Sequence, residues 1–255
     1  RQRQMCIRDR HIIMKKTIVI TGASRGIGKA IAIELAGKDT NIVINCVNNV
    51  DKLNEVKSII EEKGSVCETF IGDMGNYSDV QKMFDMCLQR FGQVDVLINN
   101  AGISVVGLFQ DMGENEWHRI CNTNIDSVFN CCHFAVKDMM KRHCGKIINI
   151  SSVWGLYGAS CEVAYSATKG AVNSFTKALA KELAPSGIQV NAVACGAIDT
   201  EMNGHLSDDD KAELAEEIPA GRFGSPQEVA KLVKSLSGMN SYLTGQIITL
   251  DGGWI

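Results

Sequence analysis

The stretch Thr21-Gly22-Ala23-Ser24-Arg25-Gly26-Ile27-Gly28 closes an apolar run at residues 17–21 and opens a helix-length segment. Glycines at a strand-to-helix turn let the backbone approach a ligand and let the helix pack closely on the sheet. The first helical turn then offers unpaired N–H groups to an anion, which suits the pyrophosphate of a dinucleotide. Further strand-like runs follow at 41–46, 66–71, 94–99, 146–151, 189–194 and 246–250. They are mostly continuous Ile and Val rather than alternating, as expected of strands buried on both faces. Helix-length segments separate them. Ser78 to Gln81 reads as a capping box, and Ser225-Pro226-Gln227-Glu228 as another with proline at the first helical position. The alternation predicts an α/β chain with a doubly wound parallel seven-stranded sheet, a Rossmann fold in one domain. Such sheets bind ligands at the carboxyl ends of their strands.

Composition narrows the function. The 255 residues carry a formal net charge of −3, with 45% hydrophobic and 22% charged residues. That is ordinary globular composition, without the basic footprint of a nucleic-acid binder or a polybasic membrane patch. No apolar run approaches the roughly 18–20 residues that span a bilayer. Ten cysteines are scattered without a CxxC pair or a secretory signal, so they read as reduced thiols of a cytoplasmic protein. Cys131, Cys132 and His133 are chain neighbours, as are His143 and Cys144, and adjacent helical residues point apart, so no metal site is expected. Residues 1–13 are basic and unlike the rest. They read as a non-native or disordered leader, with a mitochondrial presequence as the alternative, and residues 14–255 form the domain.

Tyr165 and Lys169 stand four apart at the start of a helical segment at 164–184, so both project from one face. A free tyrosine, with a pKa of about 10, is a poor acid–base at neutral pH, and a nearby ammonium lowers that value. The pair therefore reads as a tuned proton donor.

The TGxxxGxG spacing, Asp73 after the third run, Asn99-Asn100-Ala101-Gly102 after the fourth and the Tyr165/Lys169 pair together resemble the short-chain dehydrogenase/reductase family from about Lys16 onward. The resemblance implies that Gly22, Ser24, Arg25, Gly26, Ile27 and Gly28 hold a nicotinamide dinucleotide, with Cys46, Asp73, Met74, Asn100, Ala101, Gly102, Ile198 and Thr200. Tyr165 and Lys169 also touch the cofactor, Lys169 through the nicotinamide ribose. Ser152, thirteen residues before Tyr165, would hold the substrate oxygen, and Asn124 would position a water joined to the lysine. Where relatives that use NAD carry an acid at the end of the second strand, this chain has Cys46, flanked by Asn45, Val47 and Asn48. Arg25 could meet a 2′-phosphate, so NADP(H) is favoured over NAD(H). Cys195 replaces the family's proline before Gly196, which suggests sensitivity to thiol oxidants, or simply a residue that fits the space.

Met139 to Arg142, Ala180 to Ala184, Ile218 to Gly224 and the ending Leu250 to Trp254 look most like the family's 3-oxoacyl-[acyl-carrier-protein] reductases, which act in fatty acid synthesis. That likeness implies acyl carrier protein as a partner, with Lys141, Arg142 and Lys181 as a docking patch. It also implies a homotetramer, with interfaces formed by the helices containing Asn124 and Tyr165 and by the C-terminal segment. Val172, Phe175 and Leu179 recur at helical spacing and could serve there or equally in the core. Substrate choice lies in segments 104–112, 153–164 and 199–219, the last read as a lid. A reductase of another carbonyl (a steroid, a sugar, an acyl-CoA, or a modified side chain on elongation factor P) and a non-catalytic dinucleotide sensor stay open.

Overall fold

The computed structural model describes residues 15–204, 206–238 and 242–255, and the expected leader at 1–13 lies outside them. The strands are β1 (Lys16–Ile20), β2 (Thr40–Cys46), β3 (Val66–Ile71), β4 (Val96–Asn99), β5 (Gly145–Ser152), β6 (Ile188–Cys195) and β7 (Ile247–Leu250). They form one sheet of order β3-β2-β1-β4-β5-β6-β7, and every pairing is parallel. This is the expected seven-stranded Rossmann architecture. The strand order reverses between β1 and β4, and there the crevice opens.

Helices cover both faces. On one lie α1 (Gly26–Leu35), α2 (Val50–Glu62) and α9 (Pro226–Gly238). On the other lie α3 (Tyr77–Phe91), α5 (Ser127–Arg142) and α7 (Val163–Leu183), with α4 (Glu114–Cys121) leading into α5. Short α6 (Trp154–Tyr157) and α8 (Asp208–Glu217) fill connections near the crevice. The strand side chains divide by period two. Ile18, Ile20, Ile42 and Ile44 pack beneath α1, α2 and α9, whereas Val19, Val43, Leu97 and Ile147 pack beneath α3, α5 and α7. Cys131 and Cys132 belong to that second core, while His133 lies against the rings of Tyr77, Phe129 and Phe134. The described cysteines are free thiols, and no helix among the described residues is long and apolar enough to cross a membrane.

Three local expectations are corrected. The cap of α3 is Asn76, whose Oδ1 accepts from the N–H groups of Ser78 (2.9 Å) and Asp79 (3.3 Å), so Ser78 lies inside the helix. The capping box at Ser225 does form, with Glu228 Oε2 accepting from the Ser225 N–H at 2.8 Å. Second, β4 starts at Val96 and not at Val94. Val94 N–H donates to Asp138 Oδ2 at 2.9 Å, and the Val94 carbonyl accepts from Arg142, so side chains take the ladder positions.

Third, Arg142 is not part of a docking patch. Its guanidinium bridges Asp95 Oδ1 (3.0 Å) and Asp138 Oδ2 (2.8 Å), while Asp95 Oδ2 accepts from the Thr17 N–H at 2.8 Å. The brace ties α5 to the starts of β1 and β4. Val172 is likewise core, with Phe175 and Leu179 half-buried against it.

Removing the guanidinium leaves two largely buried carboxylates without their cation. Arg142→Ala should therefore lower unfolding free energy by about 1–3 kcal/mol in urea titrations. A loss below about 0.5 kcal/mol would assign the brace to the weak class of surface pairs.

Candidate active site

The glycine loop and the loop after β4 are joined where the sheet order reverses. Thr21 Oγ1 accepts from the N–H groups of Asn100 and Ala101, both at 3.0 Å, and Asn100 Nδ2 donates to the carbonyls of Thr21 and Gly22, both at 2.9 Å. Asn45 joins from β2, its Oδ1 accepting from Gly22 N–H at 3.4 Å. Gly22 holds φ +64°, open to glycine without strain. A Cβ on Gly28 would lie 2.3 Å from the Gly22 carbonyl oxygen and 2.4 Å from Asn100 Nδ2, so the helix can approach only as glycine. The N-terminus of α1 has no side-chain cap. Its N–H groups face the loop, and a pyrophosphate would satisfy them. The cradle therefore fits a dinucleotide.

Other expected cofactor residues fall around this cradle with different parts exposed. Ser24 is buried beside the loop, and Gly26 lies against Thr200. The carboxylate of Asp73 accepts from the Gly75 N–H at 2.9 Å and from Asn122 Nδ2 at 3.3 Å, which fixes the turn after β3. Met74 sends its side chain into the core, and its carbonyl accepts from Asn130 at 3.0 Å. The side chain of Cys46 is also buried, so this position cannot present a thiol to a ribose; Val47, Asn48 and Asn49 are the exposed residues there. Ile198 is buried and bridges to Gly224.

At the carboxyl end of β5, pleating separates two adjacent serines. Ser151 donates to Asn173 Oδ1 at 2.6 Å on α7, while Ser152 lies by the Tyr165 phenol and favours its ionised form. Lys169 Nζ lies 5.6 Å from the Tyr165 ring centre and donates to the Ile150 carbonyl at 2.9 Å. Burial lowers the Lys169 ammonium to about 8, partly offset by Cys195. Burial raises the phenol of Tyr165 above its ordinary value, and the nearby Ser152 hydroxyl pulls it partly down. The expected lowering of the tyrosine by Lys169 is thus absent from the protein alone. Desolvation dominates, and the phenol is held protonated. Burial also pushes the Cys195 thiol to about 12, so it is a space-filling thiol and not a reactive one.

Asn124 is fully buried in a π turn, Asn122–Asp126, between α4 and α5. Its Oδ1 accepts from the Ile103 N–H at 2.8 Å, and its Nδ2 donates to the Ile103 carbonyl at 2.9 Å and to Thr168 Oγ1 at 3.1 Å. The side chain braces the loop after β4 against α7 at Thr168, the residue before Lys169. Such π turns recur at functional sites because they shift the backbone pattern by one residue.

Several residues around the cleft carry no motif in the sequence. Ser104 donates to Glu162, and Gly107 N–H donates to the Cys161 carbonyl at 2.8 Å, which clasps the two loops flanking Tyr165. Trp154, whose N–H donates to Ser152 Oγ at 3.2 Å, stacks edge-on against Trp254 at 4.9 Å. Glu201, next to Thr200, pairs with Arg25 at 2.6 Å and Lys52 at 3.1 Å. Thr21 was within reach of sequence reasoning, because it opens the glycine stretch. The others depend on contacts between distant segments.

Comparison with known proteins agrees with this geometry. The short chain dehydrogenase family model matches residues 16–211. Proteins named 3-oxoacyl-[acyl-carrier-protein] reductase FabG from Staphylococcus epidermidis and Staphylococcus aureus are each 40% identical over 241 residues, covering 94% of this chain and 99% and 98% of theirs. One of the same name from Chlamydia trachomatis is 37% identical over 243 residues, covering 95% of this chain and 98% of its own. With the glycine cradle at the β1/β4 reversal and the Ser152, Tyr165 and Lys169 cluster beside it, the chain belongs to the short chain dehydrogenase family.

Proposed function

We propose that this protein is an NADPH-dependent carbonyl reductase that converts a 3-oxoacyl thioester on acyl carrier protein to the 3-hydroxyacyl thioester. The observation that carries the reading is the meeting of Ser152, Tyr165 and Lys169 at the carboxyl end of the sheet, beside the glycine cradle. The names of the relatives support the substrate. So does the apolar rim of Val106, Leu108, Phe109, Leu156 and Tyr157, which an acyl chain could cover. Exposed Lys141 and Lys181 stay as candidate contacts for an acidic carrier once Arg142 is removed from the patch. Phe129, half-exposed on α5, supports a homotetramer with α5 and α7 in its interfaces. Free thiols support a cytoplasmic setting.

The cofactor would lie on Gly22, Ser24, Gly26 and Gly28, against Asn100, Ala101 and Gly102, with Asp73 towards the adenine and Ile198 and Thr200 towards the carboxamide. Val47, Asn48 and Asn49 present no carboxylate to repel a 2′-phosphate, which favours NADPH. When bound, the nicotinamide supplies the hydride. The protein supplies the proton and its path. The Ser152 hydroxyl holds the substrate oxygen, and the Tyr165 hydroxyl, held protonated by its burial, donates to that oxygen. Lys169 binds the nicotinamide ribose and returns a proton to Tyr165, on a path that Asn124 helps to order from solvent.

Two measurements follow. Oxidation of NADPH should be driven by a 3-oxoacyl thioester on carrier protein at least about tenfold more efficiently than by the CoA ester, as the extra carrier contacts require. Turnover with neither thioester but with another carbonyl would give the substrate to a different class. Tight cofactor binding without any turnover would favour a sensor. The second is a pH profile. Lys169 is protonated below about 8 and loses its charge above it, so kcat/KM for NADPH should fall as pH rises through about 8. A profile flat into the ordinary lysine range would contradict that assignment.

A further inference from the structure

The loop after β5 ends in a charged group that the proton-donor cluster does not use. Glu162 is the residue before α7, three positions ahead of Tyr165. Its backbone is anchored: the Glu162 carbonyl accepts from the Ser166 N–H at 2.9 Å, and Cys161 before it takes a left-handed φ of +62°. The unpaired N–H groups of a helix's first turn attract a carboxylate at that point. That of Glu162 makes no capping bond. It accepts instead from Ser104 Oγ on the loop after β4, and so reaches across the cleft beside Tyr165. Its field is felt at the phenol: burial is the chief cause that raises Tyr165, and Glu162 adds to it.

The surroundings share its sign. The segments 104–112, 153–164 and 199–219 carry Asp111, Glu162 and eight further Asp or Glu against one lysine, Lys211. Glu201 is matched by Arg25 and Lys52, which still leaves these segments strongly acidic. The cation of the catalytic cluster, Lys169, is engaged with the Ile150 carbonyl.

We infer that Glu162 is a charge filter for the substrate, which admits 3-oxo compounds masked as neutral thioesters and turns away free 3-oxo acids. The inference rests on reading Ser152 and Tyr165 as the carbonyl site. A free 3-oxo acid carries its carboxylate one methylene away from the ketone, so its reduction would bring two like charges into one partly desolvated cleft. Two such charges about 6 Å apart, at an effective dielectric constant of about 20, repel strongly enough to cost about a hundredfold in affinity. Selection of this kind works by repelling the wrong ligand and needs no contact with the right one.

Steady-state oxidation of NADPH by the full chain, with acetoacetate and with its neutral N-acetylcysteamine thioester, tests this. The wild type should favour the thioester in kcat/KM by about a hundredfold or more. Glu162→Gln should cut that preference about tenfold, chiefly through a lower KM for acetoacetate, and Glu162→Lys should cut it further. Glu162→Asp keeps the charge and should keep the preference within about threefold. Unchanged NADPH affinity shows that each variant is folded. A preference unmoved in both Glu162→Gln and Glu162→Lys would make Glu162 a structural clasp and overturn the filter, as would equal use of acid and thioester by the wild type. Wild-type protein that reduced neither compound would instead refute the reductase reading, and the inference with it.

Discussion

The exchange of hydrogen bonds between Thr21 and Asn100 is the joint on which the site depends. β1 and β4 are neighbours in the sheet, and their crossovers leave in opposite directions, so their carboxyl ends open a gap that has to be bridged. One hydroxyl accepting two N–H groups and one amide donating to two carbonyls close that gap. The glycine loop is thereby fixed relative to the loop carrying Ala101 and Gly102. Gly28 can then bring α1 close, and Asn124 can reach the next residue of the same loop, Ile103. A cofactor cradle and a catalytic cluster, built from separate stretches of the chain, thus share one wall.

Much of this could be read from the residues. The continuous Ile and Val runs of the inner strands, the glycine spacing and the Tyr165/Lys169 interval reflect local rules of burial, backbone freedom and helical pitch, and each is borne by residues close together in the chain. What stayed hidden depended on distant partners or on competition between neighbours. Asn76 caps α3 because it sits just before the helix and reaches two N–H groups, which leaves Ser78 no role as a cap. Arg142 looked like a surface cation on a basic stretch until the fold brought Asp95 beside it, and the same brace shortens β4. Cys46 occupies the expected position at the end of β2, but the pleat turns its side chain inward.

The electrostatics of Tyr165 show why spacing alone misjudges such a pair. Helical pitch places an ammonium near the phenol, and in water that would favour ionisation. Inside the folded protein both groups lose solvent, and that loss moves each towards its neutral form: the phenol upwards and the lysine down to about 8. A neutral phenol is what a proton donor for carbonyl reduction requires. The positions of Ser152 and Lys169 then matter as much as their charge, one beside the phenolic oxygen and the other beneath the ring.

The most direct test of this account is single-turnover reduction by Tyr165→Phe with bound NADPH, alongside a measured dissociation constant for the cofactor. Loss of the phenolic proton should slow the chemical step by about 10²-fold or more while cofactor affinity changes little. Near-normal reduction by the variant at unchanged affinity would contradict the assignment of Tyr165 as proton donor.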